Sequence, residues 1–176
     1  MEKLLHFQLR GDYGHFKKYY TTTSPLTFEI PPPPTIMGII SAVIGLDKRQ
    51  YLHSFENPEE YKLAIHIKSP VKKIRMTLNL IDTKKHFWRI KNRTQIRTEF
   101  VKDPRYDLYF WHQDTHLYNT LKERLETHTS VYTVSLGLSQ LLGDIQFIGE
   151  KEVIMKPQQT RGLHGEKRCL GIEYYF

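Results

Sequence analysis

Apolar and polar residues alternate from Lys3 to Leu9, with Leu5, Phe7 and Leu9 on one face and Leu4, His6 and Gln8 on the other. The chain therefore opens on a mostly buried strand. Gly11 and Gly14 break it, and Asp12 to Ile30 reads as a long polar and aromatic loop. Pro31 to Pro34 follow. Proline lacks an N–H and fixes φ, so this run is expected to be extended and stiff, neither helix nor central strand. Thr35 is the expected N-cap of a helix over Ile36 to Ile44, apolar nearly all round and so buried. Gly38 and Ala42, four apart, would let it approach a sheet closely, and Gly45 is a natural stop.

Lys48 to Tyr61 is polar, with one or two helical turns expected. Leu63, Ile65 and Ile67 alternate with Ala64, His66 and Lys68 as a second strand. After Pro70, Ile74, Met76, Leu78 and Leu80 alternate with Arg75, Thr77 and Asn79. Thr83 to Thr98 has no clean period and no acid, and reads as the tip and return arm of a long β-hairpin. Tyr106 to Trp111 is another strand. Leu117, Leu121 and Leu125 mark a helix capped near Asp114. A short buried helix is expected around Leu136 to Leu142, then a strand from Ile145 to Met155. Gln158 to Gly171 reads as loop or hairpin, and Gly171 to Phe176 as a terminal strand or docking tail.

The order is β-α-β-(hairpin)-β-α-β. This predicts an α+β fold, a ferredoxin-like or RRM-like βαββαβ domain with a long basic hairpin between strands two and three. The domain would span residues 1–155, with the hairpin at about 71–105 and a short tail at 156–176.

Charge changes this picture. The 176 residues carry 26 Lys and Arg against 19 Asp and Glu, a net +7. Lys62 to Thr98 holds eleven of the bases and one acid, Asp82, so the rest of the chain is slightly acidic. Aromatic residues lie inside that basic block. Basic charge interleaved with rings is the footprint of a nucleic-acid site. Twelve per cent aromatic residues argue against disorder. No apolar run reaches the ~18 residues of a membrane helix, and Met1 to Gly14 lacks the apolar run of a signal peptide. The single cysteine, Cys169, excludes an internal disulfide framework and a Cys-based zinc knuckle. A cytoplasmic protein is expected.

Two segments carry the candidate chemistry. In the loop after the first strand, Lys17 and Lys18 can pair with phosphates. His15, Phe16, Tyr19 and Tyr20 can stack on bases, and Thr23 and Ser24 can bond phosphate or sugar oxygens. In the hairpin, Lys84, Lys85, Arg89, Lys91, Arg93 and Arg97 supply charge. Phe87 and Trp88 supply rings, and Gln95 a polar contact. In an unbroken strand Arg89, Lys91, Arg93 and Arg97 share a face. Arg161, His164, Lys167 and Arg168 form a weaker basic stretch.

Catalytic signatures are sparse. The nine histidines show no HxH or HExxH spacing, and His112 and His116, four apart, read as ordinary surface residues without a third ligand. No Walker loop or dinucleotide fingerprint is present, so neither metal nor cofactor is expected. His15, Tyr20 and Lys17 could serve as base, acid and cation for metal-free RNA cleavage. The RRM aromatic octapeptide is absent.

The stretch Leu9 to Tyr20, then Thr22 to Phe28, the prolines and Thr35 to Leu46 closely resembles the opening of the Cas-five family of CRISPR-associated proteins, in the RAMP superfamily. Asn92 to Ile96 and Phe100 to Tyr106 look like its central motif. Val131-Tyr132 with Leu136-Gly137-Leu138 looks like its later one. The resemblance covers roughly residues 4 to 155 and is greatest to the type I-B branch. It implies a non-catalytic subunit of the Cascade surveillance complex that binds the 5′ handle of the CRISPR RNA. It also implies a hairpin thumb over the RNA, contacts with the backbone and large subunits, and an indirect relation to target DNA. That branch usually has a longer C-terminal part, expected here to be minimal or replaced by a tail. A type I-C-like ribonuclease maturing the same RNA, the equivalent subunit of a transposon-associated Cascade and a protein-only scaffold are the alternatives.

Overall fold

The computed structural model describes residues 2–21, 24–81 and 93–153. The chain runs β1 (Glu2–Gly11), β2 (Tyr13–Gly14), α1 (Pro33–Ile44), α2 (Lys48–Ser54), β3 (Tyr61–Ile67), β4 (Lys72–Ile81), β5 (Arg93–Lys102), β6 (Arg105–His112), α3 (Thr115–Glu126) and β7 (Gly143–Val153).

Two sheets form, and every pairing in both is antiparallel. One has the strand order β3-β6-β1-β7 and the other β2-β5-β4. Leu5, Phe7 and Leu9 of β1 lie opposite Phe110, Leu108 and Tyr106 of β6. That face packs on Ile36, Ile39, Ile40 and Val43 of α1 and on Leu117, Leu121 and Leu125 of α3. The two-residue and i+4 periods read from the sequence thus meet in one core.

Two of the chain's passages between the sheets, β1 to β2 and β5 to β6, run side by side. The Gly11 amide donates to the Pro104 carbonyl (3.3 Å) and the Asp103 amide to the Asp12 carbonyl (2.8 Å). These bonds close the β1–β2 and β5–β6 corners and set the base of the β4–β5 hairpin beside the loop that follows β2.

Helix α1 begins earlier than expected. Pro32, not Thr35, is its N-cap, and Pro33 and Pro34 occupy its first turn. First-turn amides have no intrahelical acceptor, so a missing N–H costs nothing there. Gly38 is exposed and has open space beyond it, so it does not meet the sheet. Gly45 ends the helix at φ 85°. Asp114 caps α3, accepting from the His116 and Leu117 amides.

The buried helix expected around Leu136 to Leu142 does not form. That stretch is an irregular turn closed by a bridge between Ser135 and Leu142. Leu136 is fully buried, whereas Leu142 is 61% exposed. Seven residues with a glycine at 137 make a poor helix, and Leu136 and the partly buried Leu141 pack on the core without one.

Candidate nucleic-acid interface

Register puts the hairpin's two characters on opposite faces. Arg93, Gln95, Arg97, Glu99 and Val101 lie opposite Ile81, Asn79, Thr77, Arg75 and Lys73. Directly opposed residues share a face, so this side is polar. Thr94, Ile96, Thr98 and Phe100 lie opposite Leu80, Leu78, Met76 and Ile74 on the apolar side.

The polar face is graded along its length. At its base Glu99 gathers the cations, with Lys73 at 3.7 Å and Arg75 at 3.5 Å. Lys73 also reaches Glu29 at 3.2 Å. Towards the tip, Arg93, Gln95 and Arg97 are exposed. No ion pair holds either arginine among the described residues. Same-face neighbours recur every ~6.8 Å along a strand, so these three side chains form a short polar and cationic row. Lys84, Lys85, Phe87, Trp88, Arg89 and Lys91 lie outside the described residues, as does Thr23.

Glu99 also ties the loop to the hairpin. Its amide donates to the Pro25 carbonyl (2.9 Å). Its carbonyl accepts from His15 Nδ1 (2.7 Å), and its carboxylate accepts the Thr27 amide (3.4 Å). Loop and hairpin base are therefore one body.

Within that body the loop candidates separate. His15 is buried, its ring 5.5 Å from that of Phe100. Phe16 is buried edge-on to Tyr106 at 6.3 Å, with its amide bonded to Thr27 Oγ1 at 2.9 Å. Both are framework, His15 held on the hairpin base by Glu99 and Phe100 and Phe16 packed in the core. Of the His15, Lys17 and Tyr20 cleavage set, His15 is thus the buried member and Lys17 and Tyr20 are exposed. Lys17 is exposed and pairs through its backbone with Thr27. Lys18 is half-buried, its ammonium 5.6 Å from the Phe28 ring and 5.9 Å from the Tyr20 ring. Tyr19 and Tyr20 stand 87% and 60% exposed, edge to face at 5.2 Å. Ser24 is exposed beside them in sequence.

A second polar cluster was missed in the sequence. On the face of the four-stranded sheet away from the helices, buried Asp107 of β6 accepts from Gln8 (3.1 Å). It pairs with Lys68 (3.2 Å), and His6 and His66 lie at 3.7 and 4.0 Å. Burial pushes the Asp107 carboxyl up, but the bonds from Gln8 and Lys68 and the nearby positive charge hold it below the usual range. Burial pulls the His6 imidazole down. The signal was available, since period two places His6, Gln8 and Asp107 on the non-core faces of their strands. His112 is also buried, not at the surface. The Asp114 amide donates to its Nδ1 and its Nε2 donates to the Ser54 carbonyl, so the neutral ring locks two turns together.

Among the described residues, no group of three His, Cys, Asp or Glu could hold a metal. No helix among them is long and apolar enough to cross a membrane.

Fold and site together define a mixed α/β protein of two antiparallel sheets with a basic hairpin rooted beside an aromatic loop. Residues 4–140 match the family described as "CRISPR-associated protein (Cas_Cas5)", and the chain belongs to this Cas-five family. No curated protein matches it. The fold is similar to a chain of a structure titled "CRISPR RNA-guided surveillance complex", with TM-score 0.61 and 12% identity over 80% of this chain and 60% of that one. It is also similar to a chain of a Type III-B Cmr-beta structure bound to cognate target RNA and AMPPnP, with TM-score 0.58 and 7% identity over 88% and 66%. A third match, "Crystal structure of Cas protein", has TM-score 0.52 and 13% identity over 88% and 67%. The chain thus spans about 60% of the surveillance-complex chain.

Proposed function

We propose that this protein is a non-catalytic RNA-binding subunit of a type I CRISPR effector, which caps the 5′ handle of the CRISPR RNA. In this reading the four-stranded sheet with α1 and α3 is a ferredoxin-like unit. The β3-β6-β1-β7 order, with the hairpin between β3 and β6 in sequence, supports it. The hairpin is then the thumb.

The observation that carries the proposal is the division of charge on the hairpin. Its acid is spent at the base on Lys73 and Arg75, while Arg93 and Arg97 stay exposed. A cationic row on the hairpin and exposed Tyr19 and Tyr20 on the loop tied to its base suit single-stranded RNA, because phosphates take the charge and rings take the bases. Backbone and large subunits of the complex are the protein partners in this reading, with target DNA reached through the guide.

The test is incubation of purified full chain with labelled repeat RNA in EDTA. Retention of intact RNA is expected. Site-specific cleavage would instead make it a metal-independent ribonuclease. Absence of retention at low salt would make it a protein-only scaffold.

A further inference from the structure

The segment between α3 and β7 walls a cavity of about 310 Å³, at the small end of the ~300–1,000 Å³ typical of ligand sites. Val43, Leu125 and Ile145 contribute a little apolar surface to a lining that is mostly polar. Its outer wall is fastened to α1, since the Val131 and Tyr132 amides donate to the Val43 and Ala42 carbonyls at 3.1 and 2.9 Å. The cavity is therefore built into the fold.

Its charges are unequal. Asp144 is neutralised, with Arg10 at 2.7 Å and His128 at 2.7 Å. Arg124 also lines the cavity, is half-buried and has no ion pair with any described residue. A guanidinium in the last helical turn commonly serves the unpaired carbonyls there. In α3 those of Glu123, Arg124 and Leu125 already accept from the Thr127, Thr129 and His128 amides at 3.0, 2.9 and 3.2 Å. Among the described residues, Arg124 is thus a cation without an ion-pair partner. Tyr132, with its backbone fixed, leaves 55% of its surface exposed on the same wall, and the nearby Ser130 adds a hydroxyl.

We propose that this cavity receives one nucleotide, its base against Tyr132, its phosphate at Arg124 and its sugar near Ser130. An exposed ring on a tethered backbone and a forked cation with no ion pair among the described residues, in a mostly polar cavity, match the planar and anionic parts of that ligand. The proposal rests on the RNA-binding reading only for the source of the nucleotide, which is either a free monophosphate or a unit of an RNA strand.

Calorimetric titration of the full chain with adenosine 5′-monophosphate and with a 5′-phosphorylated pentaribonucleotide tests it. Arg124→Gln and Tyr132→Ala should each weaken monophosphate binding about tenfold. An Arg93→Gln, Arg97→Gln double variant should leave monophosphate binding unchanged while weakening the oligonucleotide. Wild-type melting curves for the cavity variants serve as the fold control, and Tyr132→Ala, at an exposed side chain, decides if Arg124→Gln unfolds. No monophosphate binding by the wild type, or unchanged affinity in the folded cavity variants, would overturn the proposal. Monophosphate bound and lost in the variants, with the oligonucleotide never retained, would keep the cavity as a free-nucleotide site and sink the RNA-binding reading.

Discussion

At Gly137 the backbone sits at φ 103°, and a Cβ there would run into the His15 carbonyl. The His15 amide in turn donates to the Leu136 carbonyl (2.8 Å), so this glycine seats the 135–142 turn on the loop after β2. Gly137→Ala should cost about 3 kcal/mol, the sum of left-handed strain and a backbone clash. Gly38→Ala, exposed in mid-helix with nothing within 4 Å of the new methyl, should add about 0.5–1 kcal/mol. Denaturant midpoints of the two variants should move in opposite directions. His6 supplies a pH dependence at the same scale. Burial lowers its pKa, with Lys151 and Lys68 assisting and Asp107 opposing. A base whose folded pKa lies below its unfolded value binds its proton first in the unfolded chain. Its contribution is therefore full above about pH 6.5 and is lost as pH falls. Asp107, also depressed, follows the same sign in a lower window, below about pH 4. His6→Phe keeps the ring that stacks on Tyr109 at 4.4 Å and removes the proton. Its stability should change less between pH 7 and pH 5 than the wild type's. Equal slopes would show that His6 does not titrate with unfolding.

The β4–β5 hairpin was the most legible element, because the clean alternation from Ile74 to Leu80 in β4 needs no tertiary information. Its return arm was less legible, since Thr94 to Thr98 mixes polar residues on both faces. Pairing decided it, setting Ile96 opposite Leu78 and Arg97 opposite Thr77. The apolar face is incompletely covered, with Leu80 48% exposed. Such a face drives association when its partner is missing. Leu80→Ser is therefore expected to reduce self-association of the isolated chain, read by light scattering at fixed concentration. It should change stability by less than about 0.5 kcal/mol. Unchanged scattering would show that this face does not mediate association. Helix α3 was legible for the same reason as β4, a strict i+4 leucine repeat behind an Asp cap. The 136–142 stretch was not, because its leucines suit a helix by composition while only Leu136 is fully buried and Leu141 reaches the core in part.

For the whole molecule, the excess positive charge is partly spent inside the fold. Lys68, Lys73, Arg75 and Arg10 all have carboxylate partners. The count of eleven bases between Lys62 and Thr98 therefore overstates the field available to RNA, and Arg93 and Arg97 matter more than their share. Replacing both by Gln should flatten the log–log salt dependence of RNA affinity by about 1.4, at ~0.7 per phosphate contact with a single strand. Circular dichroism should be unchanged. An unaltered slope would turn this face towards protein or solvent. The sequence by itself determined the strands β1, β3, β4 and β6, the two longer helices, the hairpin and the clustering of charge. Each is written in residues two to four apart, where periodicity acts. Only the tertiary structure decided that His15 and Phe16 are framework, that Glu99 gathers the loop and the hairpin base, that Gly38 faces outward and that Arg124 has no ion pair among the described residues. His15 and Glu99 are 84 residues apart, and no local pattern encodes which distant backbone will arrive beside a side chain when the two sheets close.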